Sequence, residues 1–344
     1  MKVAIITDQH FGARKSSRIF HDYFKDFYDN VFFPTLEKEN IKVVFDLGDT
    51  FDNRKAVDIW SVNWSRKYYF DRLQEMGIEV HSLVGNHTAY YKDTNKINTL
   101  ENFLGEYPNV KIYDSPTEVM IGGLPILFVP WICQDNQEET YKLIEETECE
   151  VAMGHLELNG FEAHKGFIMN HGIDKGLFSK FKQVFSGHYH TKSSHENCHY
   201  LGNPYQIYWN DWGDDRGFHI YDTNTLNKTF YENPYKIFAK VFYDERKLPD
   251  PKEYSGKIVK VIVERKTDPA KFEYFISQLY VNGVHEIKVV EDSSFESQLE
   301  DSLDIEKEDT LTVLEQYVDG MEYHDKDGIK VLLKSLYVEA LEMV

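Results

Sequence analysis

The chain has 344 residues, of which 42% are hydrophobic and 15% aromatic; this is too apolar for a disordered protein and enough for one large domain with smaller appendages. Its net charge of -20 argues against a broad basic surface for nucleic acid, because neutralising phosphates takes Lys and Arg. Three scattered cysteines with no CxxC pair argue against a disulfide framework or zinc ribbon, and no apolar run nears the roughly 18 residues of a membrane span, so a cytoplasmic protein without a membrane partner is expected.

The first run of strand character is KVAIITDQH, at residues 2–10, and it ends in a polar cluster. Helical spacing follows over residues 16–40 and again over 57–76, where Gly77 is placed to close the helix. Between and after these lie VVFDLGDTFD (43–52), EVHSLVGNH (79–87), VAMGHLE (151–157) and QVFSGHYH (183–190), each apolar at first and polar at its end. Further strands are expected at residues 125–132, 199–203, 217–222 and 228–232. Strands alternating with helices predict a layered α/β domain over residues 1–240, with helices on both faces of its sheet.

Past residue 251 the character changes. KIVKVIVER, then the helical AKFEYFISQLY, then HEIKVVED make a small β-α-β unit, assigned to residues 241–292. Residues 291–309 hold nine acids against one lysine, and 293–309 read as an acidic linker. The amphipathic candidates LTVLEQYV and IKVLLKSLYVEALEMV follow, so 310–344 read as a helical docking segment for another protein or as helices packed on their own domain.

In an open α/β sheet the carboxyl ends of the strands converge on one edge, where ligands bind. Asp8, His10, Asp49, Asn86, His87, His155, His188 and His190 all stand at such ends and are expected to meet. The set is oxygen and nitrogen with no thiolate, which suits Mn, Fe, Zn or similar ions. Two ions can be served if Asp49 bridges them, and a pair ~3.5 to 4 Å apart can clamp a phosphate for in-line hydrolysis. Any one of these clusters alone is more often turn chemistry, with Gly48 and Gly85 as ordinary turn glycines. Five in the order DxH, GDxxD, GNH, GH, GHxH are not read as coincidence.

That order resembles the calcineurin-like metallophosphoesterase family. FDNRKA after GDT, VGNH, LELNG and SGHYHT look like its SbcD branch, the nuclease subunits of double-strand-break repair complexes, and within it the phage recombination endonuclease subunits. The resemblance implies a metallophosphoesterase sandwich, a capping domain that selects DNA ends, and C-terminal helices that grip an SMC-like ABC ATPase. It implies exonuclease and endonuclease action on DNA in repair, recombination and replication, a homodimer, and location in the cytoplasm, the host's if a phage encodes the chain. Carried over by position, Asp8, His10 and His190 would hold one metal and Asn86, His155 and His188 the other, with Asp49 between them. His87 would be the general acid or a stabiliser of developing charge. Mn2+ is the implied metal, with Mg2+ as the alternative.

The chain departs from the family pattern in reading GNHTAYY for GNHD and LGNP for a GSP-type turn. Thr88 thus replaces a usual carboxylate, which would lower activity or be covered by another acid such as Asp52, just outside the ligand set. Arg14, Lys15 and Arg18 after the first cluster, and Arg54 and Lys55 after the second, are candidate DNA contacts or ordinary surface charges. Trp60 and Trp64, four apart on the second helix, read as core or dimer contacts. Two rivals remain, a phosphatase or cyclic-nucleotide phosphodiesterase on the same metal scaffold and a non-catalytic scaffold. The C-terminal third argues against the first, and the complete ligand set against the second.

Overall fold

Each polar cluster stands at the end of a strand whose two faces are both buried. Strands β1 (Lys2–Ile6), β2 (Val43–Asp46) and β3 (Glu79–Leu83) run parallel, as does β4 (Val110–Tyr113) beside β3. Two later strands, β13 (Gly217–Asp222) and β14 (Asn227–Glu232), add antiparallel beside β1 and complete a six-stranded sheet. The second six-stranded sheet has β7 (Val151–His155) and β10 (Gln183–Gly187) parallel at its centre. It is extended by β6 (Leu124–Val129) and β5 (Thr117–Ile121) on one side, and by β12 (Cys198–Tyr200) and β11 (Ser193–His195) on the other. A short hairpin of β8 (Glu162–His164) and β9 (Phe167–Ile168) follows β7.

This computed structural model describes residues 1–164 and 167–291, with positions 318, 326, 329, 330, 332, 333 and 336 beyond them. The acidic stretch 293–309 lies outside the described residues, as does most of the expected docking segment 310–344, whose described positions are helical. Among the described residues no helix is long and apolar enough to cross a membrane.

Alternation along the strands sets the layers. Val3 and Ile5, Val43 and Phe45, Ile126 and Phe128, Val151 and Met153, and Phe185 meet in one apolar cluster, so the two sheets pack face to face. The intervening Leu127, Val129, Ala152 and Val184 face outward into a second cluster, which holds Ile144 of the helix Gln137–Glu146. The sandwich that the family resemblance implies is thus present, as two sheets face to face rather than the one sheet between helical layers that strand–helix alternation predicts. Period-two alternation names the faces of a strand but not the sheet that receives it.

The helix Arg18–Phe27 continues through a π-helical turn, Tyr28–Phe32, into Phe33–Lys38. A second helical stretch runs Ile59–Ser65, Arg66–Phe70 and Asp71–Glu75, started by Asp58, whose carboxylate accepts from the Trp60 and Ser61 amides. Trp64 is buried against Phe11 and His21, while Trp60 and Ile59 are exposed.

The chain divides into two compact units, Met1–Ile207 with Gly213–Ile237, and Tyr208–Trp212 with Phe238–Val344. The second is built on three parallel strands, β15 (Phe238–Asp244), β16 (Ile258–Arg265) and β17 (Glu286–Val290). The helix Pro269–Val281 covers them through Phe272, Phe275 and Leu279.

Candidate metal centre

The loops that leave β1 and β2 are zipped together: Asp8 N donates to Gly48 O, His10 N to Asp49 O and Phe11 N to Thr50 O, at 3.0, 2.9 and 2.8 Å. A buried network braces them from behind. Gln9 Nε2 and Thr50 Oγ1 both donate to Asp46, at 3.0 and 2.7 Å, and Gln9 in turn accepts from Tyr28 at its side chain and from Tyr205 at its carbonyl. Burial pushes the Asp46 carboxyl up to about 7. Gln9 and Asp46 carry no ligand signal in the sequence, yet the interior of DxH and the residue three before Asp49 are where such braces belong.

This bracing holds an unusual backbone. Asp8, His10, Asp49 and His188 all adopt positive φ, at 52°, 47°, 50° and 86°. For residues with a Cβ this costs about 1–3 kcal/mol each, and it persists only where the surroundings dictate it. Gly48, at φ 105°, has a second reason to be glycine, since a Cβ there would lie 2.4 Å from His155 Nδ1. At Gly85 a Cβ would stand 2.1 Å from Asp49 Oδ1. Both are therefore more than ordinary turn residues, because each vacates space for a side chain of the centre.

Two groups of ligand atoms converge, Asp8, His10 and His190 in one, Asp49, His155 and His188 in the other, with the atoms of each group within 4.8 Å of one another. In the first, His10 Nε2 lies 3.0 Å from His190 Nε2, and the Asp8 carboxylate accepts from the His188 amide. In the second, Asn86 Oδ1 lies 3.0 Å from His155 Nε2 and 3.1 Å from His188 Nδ1, while Asp49 Oδ2 lies 3.1 Å from that same His155 Nε2. Asp49 Oδ1 accepts from the His87 amide, so this carboxylate ties three loops.

The set fits divalent cations. The Nδ1 atom of His155 donates to the Leu47 carbonyl at 2.8 Å, which turns the lone pair on its Nε2 inward, and that of His10 lies 3.3 Å from the Asp52 carboxylate. Acceptors then face acceptors around His155 Nε2, which is unfavourable unless a proton or a cation lies between them. Asn86 adds an amide oxygen, its Nδ2 being buried without a hydrogen-bond partner among the described residues. The structure therefore provides two candidate metal-binding groups of Asp and His residues.

In the metal-free chain, a proton on His155 fills this role. Burial alone would raise Asp49, but the charge of His155, with His87 and His10, holds it well below the usual carboxylate range. Burial would lower His155, but Asp49 lifts it to about 9, while burial pushes Asp8 upward. His155 thus stabilises the metal-free chain fully below its unfolded value of 6.5, and this is lost as pH rises through about 9. Cation uptake at neutral pH must displace that proton, so adding Mn2+ to weakly buffered protein is expected to release acid, with affinity rising from pH 6 to 8. Uptake with no proton release and no pH dependence would contradict this.

His87 stands at the rim. Its Nδ1 donates to the Asp52 backbone carbonyl at 2.6 Å, and its ring lies 5.0 Å from that of His10. The Asp52 carboxylate, expected as a substitute partner for His87, instead faces His10. Thr88 is buried and closes the GNH turn, its hydroxyl donating to Gly85 O at 3.0 Å and accepting from Gly85 N at 2.8 Å. His87 is oriented by backbone, so no carboxylate is needed at position 88 for that purpose.

Other neighbours left no simple trace. Trp131 packs 5.2 Å from the His188 ring, and Asn203 of the LGNP turn lies 3.4 Å from His190 Nδ1. Arg14, Lys15 and Arg18 lie beyond the first loop and Arg54 and Lys55 beyond the second, two loops bridged at Phe11 and Phe51. Arg18 lies over the Trp60 ring and Arg14 over that of Phe20, 5.6 and 5.8 Å from the centroids.

With this geometry in hand, the likeness to known proteins is specific. The calcineurin-like phosphoesterase family matches residues 1–192. Exonuclease subunit 1 of Enterobacteria phage T4 is 33% identical over 312 residues, covering 89% of this chain and 90% of that protein. Among solved structures, a novel archaeal phosphodiesterase aligns at 12% identity over 68% of this chain and all of its own, with a TM-score of 0.33. The Pseudomonas putida nuclease MPE aligns at 14% over 66% of this chain and 87% of its own, also at 0.33. The family match over more than half of the chain and the 33% identity across most of it make this chain a member of the calcineurin-like phosphoesterase family.

Proposed function

We propose that the chain is a two-metal phosphodiesterase that cuts DNA, the nuclease subunit of a double-strand-break repair and recombination complex. The observation that carries this reading is the convergence of two ligand groups, Asp8, His10 and His190 and Asp49, His155 and His188, on loops zipped together beside Asp49; Asp49 would reach both ions. The similarity to a phage protein named as an exonuclease subunit supports DNA as substrate and a partner chain. Asp8, His10 and His190 would hold one ion and Asn86, His155 and His188 the other, with Mn2+ the proposed metal and Mg2+ the alternative. When bound, the ions supply a polarised water for in-line attack and offset charge on the phosphate.

The protein's own groups supply the rest. His87, positioned through the Asp52 carbonyl, would give a proton from Nε2 to the leaving 3' oxygen. Arg14, Lys15, Arg18, Arg54 and Lys55 would flank the incoming strand. Residues 1–240 would form the nuclease domain, 241–292 a cap that selects DNA ends, 293–309 a linker, and 310–344 the grip on an SMC-like ABC ATPase. Exposed Ile19, Ile59 and Trp60 support a homodimer through this helical face.

The test is a Mn2+-supplemented nuclease assay on linear double- and single-stranded DNA, with and without the ATPase. Cleavage stimulated by the partner is expected. Deleting residues 310–344 is expected to abolish partner binding while metal content stays normal; a deletion variant that still binds the partner would refute the docking assignment.

A further inference from the structure

At the edge where β12 of the second sheet faces β13 and β14 of the first, the side chains between the sheets are not all apolar. Register places His219 and Tyr221 on one face of β13, opposite Phe230 and Lys228 of β14. That face is the inner one, because Tyr221 packs on Phe185 of β10 at 5.2 Å between ring centroids, and Phe185 stacks on its β12 register partner His199 at 5.5 Å. Lys228 Nζ lies 5.1 Å from the Phe185 centroid. Lys192 Nζ lies 3.3 Å from that of Phe230, whose ring also meets His219 at 5.1 Å.

Four basic groups are thus gathered around two phenylalanine rings. Neither lysine forms an ion pair or hydrogen bond among the described residues, and Asp215 and Glu232 act on Lys192 without touching it. Burial, then the nearby Lys192, lowers Lys228 to about 8, and burial together with Lys228 lowers both His219 and His199. An ordinary sandwich edge would be closed with apolar or paired side chains, since gathered like charges oppose folding; here His219 is buried, Lys228 half-buried, and Lys192 reaches solvent. Their assembly here is explained if an anion enters among them. The cluster also adjoins the metal centre: Lys192 lies two residues past His190, and a Cβ on Gly202 would meet the His190 carbonyl at 2.8 Å and Lys192 Cγ at 2.9 Å.

The geometry points to a second anion subsite, in which Lys192, Lys228, His199 and His219 take the phosphodiester backbone of the strand as it runs on from the metal centre. It rests on the phosphodiesterase reading and deepens it. In a chain of net charge -20, local cations of this kind would guide a polyanion where the surface as a whole repels it.

The test compares the wild type with a Lys192→Gln/Lys228→Gln double variant, both loaded with Mn2+. One substrate is bis(p-nitrophenyl) phosphate, whose single phosphate cannot occupy the metals and the cluster at once, and the other is a single-stranded oligonucleotide. Oligonucleotide affinity is also read by fluorescence anisotropy in Ca2+, so the subsite is tested whether or not cleavage occurs. For the double variant, turnover of the small diester is expected to hold while KM and Kd for the oligonucleotide rise severalfold. The salt dependence of binding is expected to fall by about one unit of log-log slope per lysine. Tm is expected to hold or rise, because the substitutions remove repelling charges. Unchanged oligonucleotide affinity and salt slope would overturn the subsite, as would an equal loss on both substrates. A wild type inert towards both substrates would instead overturn the phosphodiesterase reading, and the anisotropy would still decide the subsite.

Discussion

Asp49→Ala is expected to slow phosphodiester hydrolysis by about 10³-fold or more and to reduce bound Mn2+ from about two ions per chain. The size of the effect follows from position. Asp49 Oδ2 meets His155 of one ligand group, Oδ1 accepts from the amide of His87, and the Asp49 carbonyl receives the amide of His10 from the other group. Removing this carboxylate leaves His155 without the charge that lifts it to about 9, and takes a shared ligand from both proposed sites. Metal analysis of the purified variant and steady-state rates would check this. Two tightly held ions and a near-normal rate would mean that Asp49 is not shared.

His87→Ala is expected to cost about 10²–10⁴-fold in DNA cleavage, the usual range for a lost general acid, with metal content near that of the wild type. The ring is held by a backbone carbonyl and belongs to neither ligand group, so its loss should not empty them. A diester with a good leaving group needs little protonation. For bis(p-nitrophenyl) phosphate the same variant is therefore expected to lose far less than for DNA. Loss of metal in the variant would show that His87 is a ligand, and equal losses on both substrates would point to charge stabilisation rather than proton donation.

Much of the centre was legible because parallel strands buried on both faces announce themselves as unbroken apolar runs. Those ending at Ile6, Asp46, Leu83, His155 and Gly187 each turn polar where the chain leaves the sheet. Their division into two sheets was implied by the family resemblance but not by the strand pattern itself. It depends on β13 returning from some two hundred residues away to pair with β1, and on β5, whose alternating exposure marks it only as an edge strand. Contacts made by backbone were equally hidden. Asp52 reads as a carboxylate in sequence, yet it is its carbonyl that meets His87, and Thr88 reads as a missing acid where its hydroxyl closes a turn. Lys192 passed as an ordinary residue after GHYHT, because only the approach of β12 to β13 and β14 gathers it with Lys228 and two histidines.

The claim on which the rest depends is that two cations share one carboxylate at this edge. Anomalous diffraction from crystals soaked in Mn2+ tests it most directly. Two peaks ~3.5–4 Å apart are predicted, one among Asp8, His10 and His190, the other among Asn86, His155 and His188, with Asp49 reaching both. A single peak, or two peaks too far apart for one carboxylate to touch, would contradict the account.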